Sequence, residues 1–123
     1  MNKWQRDVEE FHRKFGLTVG ETPKVRDANL RGMLIYEEAQ ETLKALPHHD
    51  MVGIVDGLCD LIYVCLGTAV AFGIDLDEFW DAVHKSNMAK EGGATRADGK
   101  LLKPEGWQPP DIAGILERMG VRR

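Results

Sequence analysis

The sequence predicts an all-α fold, a four-helix-type bundle followed by a structured loop and a short last helix. Three observations carry this. Apolar residues recur three and four positions apart in successive segments. No stretch of useful length alternates apolar and polar residues as a half-buried strand would. Glycine and proline punctuate the ends of the periodic segments, with Gly16, Pro47 and Gly73 as the clearest stops.

Trp4, Val8, Phe11 and Phe15 predict an amphipathic first helix ending near Gly16. Gly20 and Pro23 mark a connector. A second helix is expected from about Lys24 or Val25 to Leu46, with a stripe of Leu30, Met33 or Leu34, Leu43 and Leu46, and Pro47 stops it. Asp50 is the expected N-cap of a third helix, Met51 to Phe72, closed by Gly73. That helix is apolar on nearly every face, which places it at the centre or at a subunit interface. Gly53 and Gly57 each cost about 1 kcal/mol in a helix interior. Close backbone approach is therefore the expected reason for them. Asp75-Leu76-Asp77-Glu78 reads as a capping box for a fourth helix. Phe79 and Val83 supply its apolar face, with Trp80 and Met88 as further candidates. From about Ala89 to Pro110 the pattern dissolves into glycine, proline and charge. A last short helix carries Ile112, Ile115, Leu116 and Met119.

The chain has 123 residues, 43% hydrophobic and 29% charged. One globular domain, 1–123, is the natural reading. The net charge of −4 argues against nucleic acid as the main partner. Met1 to Glu10 is too polar for a secretory signal, and no uninterrupted apolar run approaches a bilayer span. A cytoplasmic protein with no membrane partner is expected. Cys59 and Cys65, on one helix, point about 120° apart, which excludes a disulfide between them. Their apolar neighbours suggest small buried side chains. His12, His48, His49 and His84 form no zinc-like pair.

The informative residues are the acids. Glu37, Glu38 and Glu41 project from one edge of the second helix. Such a run alone is usually a solvated face. Asp56 and Asp60 change that balance, because they share one face of the most apolar helix, and no lysine or arginine lies between Met51 and Lys85. A short link joins the second and third helices, so they are expected to be antiparallel neighbours with the two acid groups overlapping along them. Five facing carboxylates need cations. Oxygen-only ligation selects Mg²⁺, or Mn²⁺. The segment Lys85–Lys103 supplies the opposite charge, five cations against Glu91 and Asp98, in a glycine-rich loop suited to a phosphate.

These residues in order resemble a known family. They are Leu34-Ile35-Tyr36-Glu37-Glu38-Ala39-Gln40-Glu41, then Asp56-Gly57-Leu58-Cys59-Asp60-Leu61-Ile62-Tyr63. His84-Lys85-Ser86-Asn87-Met88-Ala89-Lys90 follows, and then Asp98-Gly99-Lys100 with Lys103-Pro104-Glu105-Gly106-Trp107. The chain resembles the all-α nucleoside triphosphate pyrophosphohydrolases, the MazG-like proteins, and looks closest to their compact dUTPase group. The resemblance covers about residues 8–117. It implies cleavage between the α- and β-phosphates of a nucleoside triphosphate, dUTP foremost, releasing monophosphate and pyrophosphate with Mg²⁺ or Mn²⁺. It implies metal ligation by Glu37, Glu38, Glu41 and Asp60, joined here by Asp56, with Glu37 or Glu38 activating the water. Asn87 and Lys90 match sugar and phosphate contacts, and Lys103 a further phosphate contact. One departure stands out. Many members carry a glutamate three residues before the final aspartate, where this chain has Gly57, and Asp56 stands four before instead.

Tyr63 could reach a base or ribose, or pack in the core. Glu9-x-x-His12 and Asp81-x-x-His84 have a spacing seen in di-iron bundles. The match is poor, and surface or capping histidines are expected. Trp107 is expected to anchor its loop in preference to stacking on a base. Arg31 and Asn29 are open candidates for the site. Two readings from other classes stay open: a non-catalytic metal-binding or di-iron bundle, and an interaction module. The apolar third helix points to a homodimer, and the resemblance extends this to tetramers.

Overall fold

The computed structural model describes residues 1–121. They form five α-helices: α1 (Lys3–Lys14), α2 (Ala28–Ala45), α3 (Met51–Phe72), α4 (Asp77–Met88) and α5 (Ile112–Arg118). There is no strand among the described residues, and the one isolated bridge pairs Thr95 with Leu101. The chain divides into two compact units, Met1–Asp75 and the part from Leu76 onward.

In the first unit α1 and α2 both pack on α3. The Asn2 side chain caps α1 by accepting from the Gln5 N–H at 2.9 Å. The face that α1 buries is not the aromatic stripe. Gln5, Val8 and His12 are buried, while Trp4, Phe11 and Phe15 stay exposed. The reason is that the polar pair has fixed partners. Gln5 Nε2 donates to the Ile74 carbonyl at 2.6 Å, and His12 Nδ1 lies 2.7 Å from the Thr18 carbonyl oxygen. His12 is therefore neither a surface nor a capping histidine, with 2% exposure.

α2 begins at Ala28, three or four residues later than its pattern suggests. The preceding residues are held elsewhere: Lys24 N–H donates to the Phe72 carbonyl, and Arg26 Nη1 to the Ala71 carbonyl. Asp27, at φ +52, then turns the chain into the helix. The stripe of Leu30, Met33, Leu43 and Leu46 is exposed. The residues that α2 buries are Arg31 and Thr42.

α3 matches its expected bounds and caps, with Asp50 accepting from the Gly53 N–H at 3.2 Å and Gly73 closing it at φ +71. Gly57 and Gly53 mark where α2 comes closest. A Cβ on Gly57 would stand 2.5 Å from Thr42 Oγ1 and 3.1 Å from Thr42 Cα, and one on Gly53 would stand 3.3 Å from Ala45 Cβ. At the other end Arg31 donates to the Val64 carbonyl at 2.9 Å and to Thr68 Oγ1 at 3.1 Å. Position numbers fall along α2 as they rise along α3, so the two helices are antiparallel. Only Val8, Ala69, Val70 and Ala71 form the buried apolar core of this unit. Met51, Val52, Val55, Leu58 and Ile62 are exposed, as are Cys59 and Cys65, which corrects the expectation that the cysteines are buried.

In the second unit Phe79 and Ile115 are buried, while Trp80 and Met88 are exposed. The predicted capping box does not form. Leu76 occupies the cap position without a side-chain bond, and Asp75 pairs instead with the Met1 ammonium at 3.0 Å. Glu78 pairs with Arg118 of α5 at 2.9 Å. Between the helices, Leu102 N–H donates to the Ala94 carbonyl and Arg96 N–H to the Lys100 carbonyl, each at 2.7 Å, so the glycine-rich segment is a tight hairpin. Trp107 Nε1 donates to the Ser86 carbonyl at 2.6 Å, which anchors the loop to α4 as expected.

Candidate functional site

The α2–α3 register sets the acid cluster. Thr42 lies against Gly57 and Arg31 against Val64, which puts Glu38 about level with Asp60. Glu37 and Glu41 flank Glu38 on α2, and Asp56 lies one turn from Asp60 on α3. The other four predicted carboxylates all act on Glu38. Glu38 is half-buried, and its carboxyl is held above the ordinary glutamate range first by burial, then by the charges of Asp60, Glu41, Glu37 and Asp56. Its Oε2 is shielded from solvent and has no hydrogen-bond partner.

Asp56 and Asp60, expected to be desolvated by their apolar helix, are exposed, as are Glu37 and Glu41, because this face of α3 is uncovered in the single chain. Of the five acids only Glu38 is partly desolvated. Among the described residues no three His, Cys, Asp or Glu side chains converge in a closed ligand set. The acids form an open electrostatic cluster, the kind of donor set that suits Mg²⁺, which keeps several waters and takes few carboxylates. The orphaned Glu38 oxygen, facing four like charges, fits a cation better than any group the chain itself supplies.

Two buried polar residues hold this geometry. Arg31 crosses from α2 to α3 two turns before Glu38, and burial pushes its guanidinium down while Asp27 and Cys65 oppose that shift. Thr42 Oγ1 donates to the Glu38 carbonyl at 2.8 Å and packs on Gly57. Gly57 thus has no room for a longer side chain, which accounts for the absence of a glutamate at that position. Thr42 went unread in the sequence because a threonine mid-helix carries no signal of its own.

Tyr63 does not enter the core. It is exposed, edge-on to the Phe11 ring at 5.5 Å, and its phenol is pushed up by burial and by Asp7 and Glu10. Asn87, Lys90 and Lys103 belong to the second unit. The Lys90 and Lys103 ammonium groups lie 5.4 and 4.9 Å from the centroid of the Trp107 ring. Of the loop's five cations, Arg96 is taken by Asp98 through two bonds of 2.8 and 2.6 Å.

Helices alone, with Glu-Glu-x-x-Glu level with an aspartate pair on the antiparallel neighbour, define the class: the MazG-like superfamily of all-α nucleoside triphosphate pyrophosphohydrolases. Within it, the phosphoribosyl-ATP pyrophosphohydrolase family model matches residues 8–87, and the chain belongs to that family. The match takes in all five acids and Asn87, and it ends before Lys90 and Lys103. No curated protein matches the chain.

Proposed function

We propose that this pyrophosphohydrolase cleaves a deoxynucleoside triphosphate, dUTP foremost, between the α- and β-phosphates in a reaction that needs Mg²⁺ or Mn²⁺. The observation that carries the reading is Glu38: a shielded, unpartnered carboxylate oxygen among four further acids. Glu37, Glu38, Glu41, Asp56 and Asp60 are the residues that would hold the cation. When bound, a divalent ion lowers the pKa of water and offsets charge on the phosphates. The chain's own contribution is proton handling and orientation. Glu37 or Glu38 orients the water and takes its proton. The water attacks the α-phosphorus in line, and pyrophosphate leaves. Asn87 is assigned to the sugar, Lys90 and Lys103 to the phosphates, and Tyr63 to a base or ribose edge.

A second copy of the chain is the proposed partner, as a homodimer with a tetramer as its extension. The support is the uncovered apolar face of α3, with Met51, Val52, Val55, Leu58 and Ile62 exposed beside a very small core. α3 is also long and apolar enough to cross a bilayer by length and composition. Asp56 and Asp60 at mid-helix argue against that use. A cytoplasmic location accords with this reading.

The family match favours a second substrate, phosphoribosyl-ATP, which would be cut at the same bond. Pyrophosphate release from dUTP, dCTP and phosphoribosyl-ATP, with Mg²⁺ and with EDTA, tests both. Release from dUTP that EDTA abolishes supports the primary reading. Release from phosphoribosyl-ATP alone moves the substrate to the second. No release from any of them leaves a non-catalytic metal-binding bundle or an interaction module, and visible iron-type absorbance of the purified protein would single out the di-iron form.

A further inference from the structure

We infer that Trp107 is a positioning residue whose ring holds Lys90 and Lys103 together as a dicationic grip for condensed phosphate. The inference rests on the pyrophosphohydrolase reading and adds a residue and a ligand class to it. Lys90 follows the end of α4, and Lys103 follows the hairpin, so nothing in the backbone pairs them directly. The indole does. Its Nε1 donates to the Ser86 carbonyl at 2.6 Å, which fixes the ring to α4. Both ammonium groups then sit over that one ring, at 5.4 and 4.9 Å from its centroid, which keeps them within about 10 Å of each other.

Charge explains why the pair is available for an anion. Arg96, the one arginine among the loop's five cations, is neutralised by Asp98. No acid is paired with Lys90 or Lys103 among the described residues. The indole attracts both cations through its ring quadrupole without cancelling their charge, so two like charges are gathered at little cost and both stay free to bind. A monoanion satisfies one lysine. A diphosphate, with charge spread along its length, satisfies both. The adjoining cavity of about 630 Å³ is lined by Trp107 and Lys85 but also by Glu91, Glu105 and Asp111, so the anion belongs at the two ammonium groups and not in the cavity.

The test is titration of the full chain with inorganic pyrophosphate in EDTA, alongside dUTP kinetics with Mg²⁺. Trp107→Leu removes ring and hydrogen bond together. Trp107→Phe keeps a ring and loses the bond to Ser86. The expected result is a roughly five- to tenfold weaker pyrophosphate affinity for Trp107→Leu, from two cation–π contacts, and a change under about twofold for Trp107→Phe. The kinetic loss should fall in KM and not in kcat, because the grip binds ground and transition states alike. In a Lys90→Met/Lys103→Met background, Trp107→Leu should add nothing. Wild-type affinity in Trp107→Leu, an equal loss in Trp107→Phe, or an undiminished effect in the lysine-free background would each overturn the inference. Failure of the enzyme reading looks different: no triphosphate is turned over, while the pyrophosphate titration still judges the grip.

Discussion

Replacing Glu38 by glutamine should move stability and activity in opposite directions. The Glu38 charge is opposed by four others, Asp60, Glu41, Glu37 and Asp56. Like-charge pairs at screened helix positions cost a few tenths of a kcal/mol each, so removing one member relieves about 1 kcal/mol in the metal-free protein. The amide also offers N–H donors to the surrounding carboxylates, in place of an oxygen that has no partner. For a chain of this size about 1 kcal/mol corresponds to a rise in Tm of about 3–6 °C. Wild-type Glu38 binds its proton more tightly folded than unfolded. Its folded-state stabilisation is therefore complete below the ordinary glutamate value of 4.5 and is lost as pH rises through the raised folded value. Glu38→Gln should flatten that part of the Tm-versus-pH curve. Thermal melts in EDTA from pH 4 to 8, repeated with excess Mg²⁺, supply the assay. The variant should melt higher than wild type in EDTA at neutral pH, gain less from Mg²⁺, and lose turnover. A lower Tm in EDTA, with an unchanged pH slope, would refute the electrostatic argument.

Three other outcomes follow from the packing. Gly57→Ala must push Thr42 and the α2 backbone away, a strain of about 1–3 kcal/mol set against about 1 kcal/mol of helix propensity gained; urea unfolding should show a net loss of about 1 kcal/mol. Arg31→Met abandons the bonds to Val64 and Thr68 and should lower stability by about 2 kcal/mol in the same assay, with unchanged stability contradicting the role given to that crossing. Val52 is 82% exposed in the single chain, so Val52→Asp should leave the monomer fold within about 0.5 kcal/mol of wild type. By sedimentation the same change should split the proposed dimer, and a wild-type monomer, or a variant that stays dimeric, would remove that face from the interface.

The elements whose caps and apolar period agree were legible in the sequence. α3 is the clearest case: Asp50, the apolar run and Gly73 all point to one helix, and its bounds follow. The acid pattern was legible because two short spacings on neighbouring helices suffice to place five carboxylates on facing sides. What escaped is the polar interior. Gln5 and Arg31 are buried by bonds to groups far away in the chain, Ile74, Val64 and Thr68, while His12 and Thr42 bond to the nearby Thr18 and Glu38 carbonyls, and periodicity carries no trace of any of these partners. The same blindness misplaced the apolar stripes of α1 and α2. Trp4, Phe15, Leu30 and Leu43 do recur at helical spacing, but they face outward in a single chain. The capping box at Asp75 did not form, and that carboxylate is paired with the Met1 ammonium, a partner that lies at the other end of the unit's sequence and that local spacing does not reveal.

The central claim is that carboxylates on α2 and α3 together run the hydrolysis. Its most direct measurement is pyrophosphate release from dUTP with Mg²⁺ by wild type, Glu38→Ala and Asp60→Ala, each checked for helical content by circular dichroism. Both variants should keep the wild-type spectrum and lose about a hundredfold or more in rate. Near-wild-type turnover in both would contradict the account.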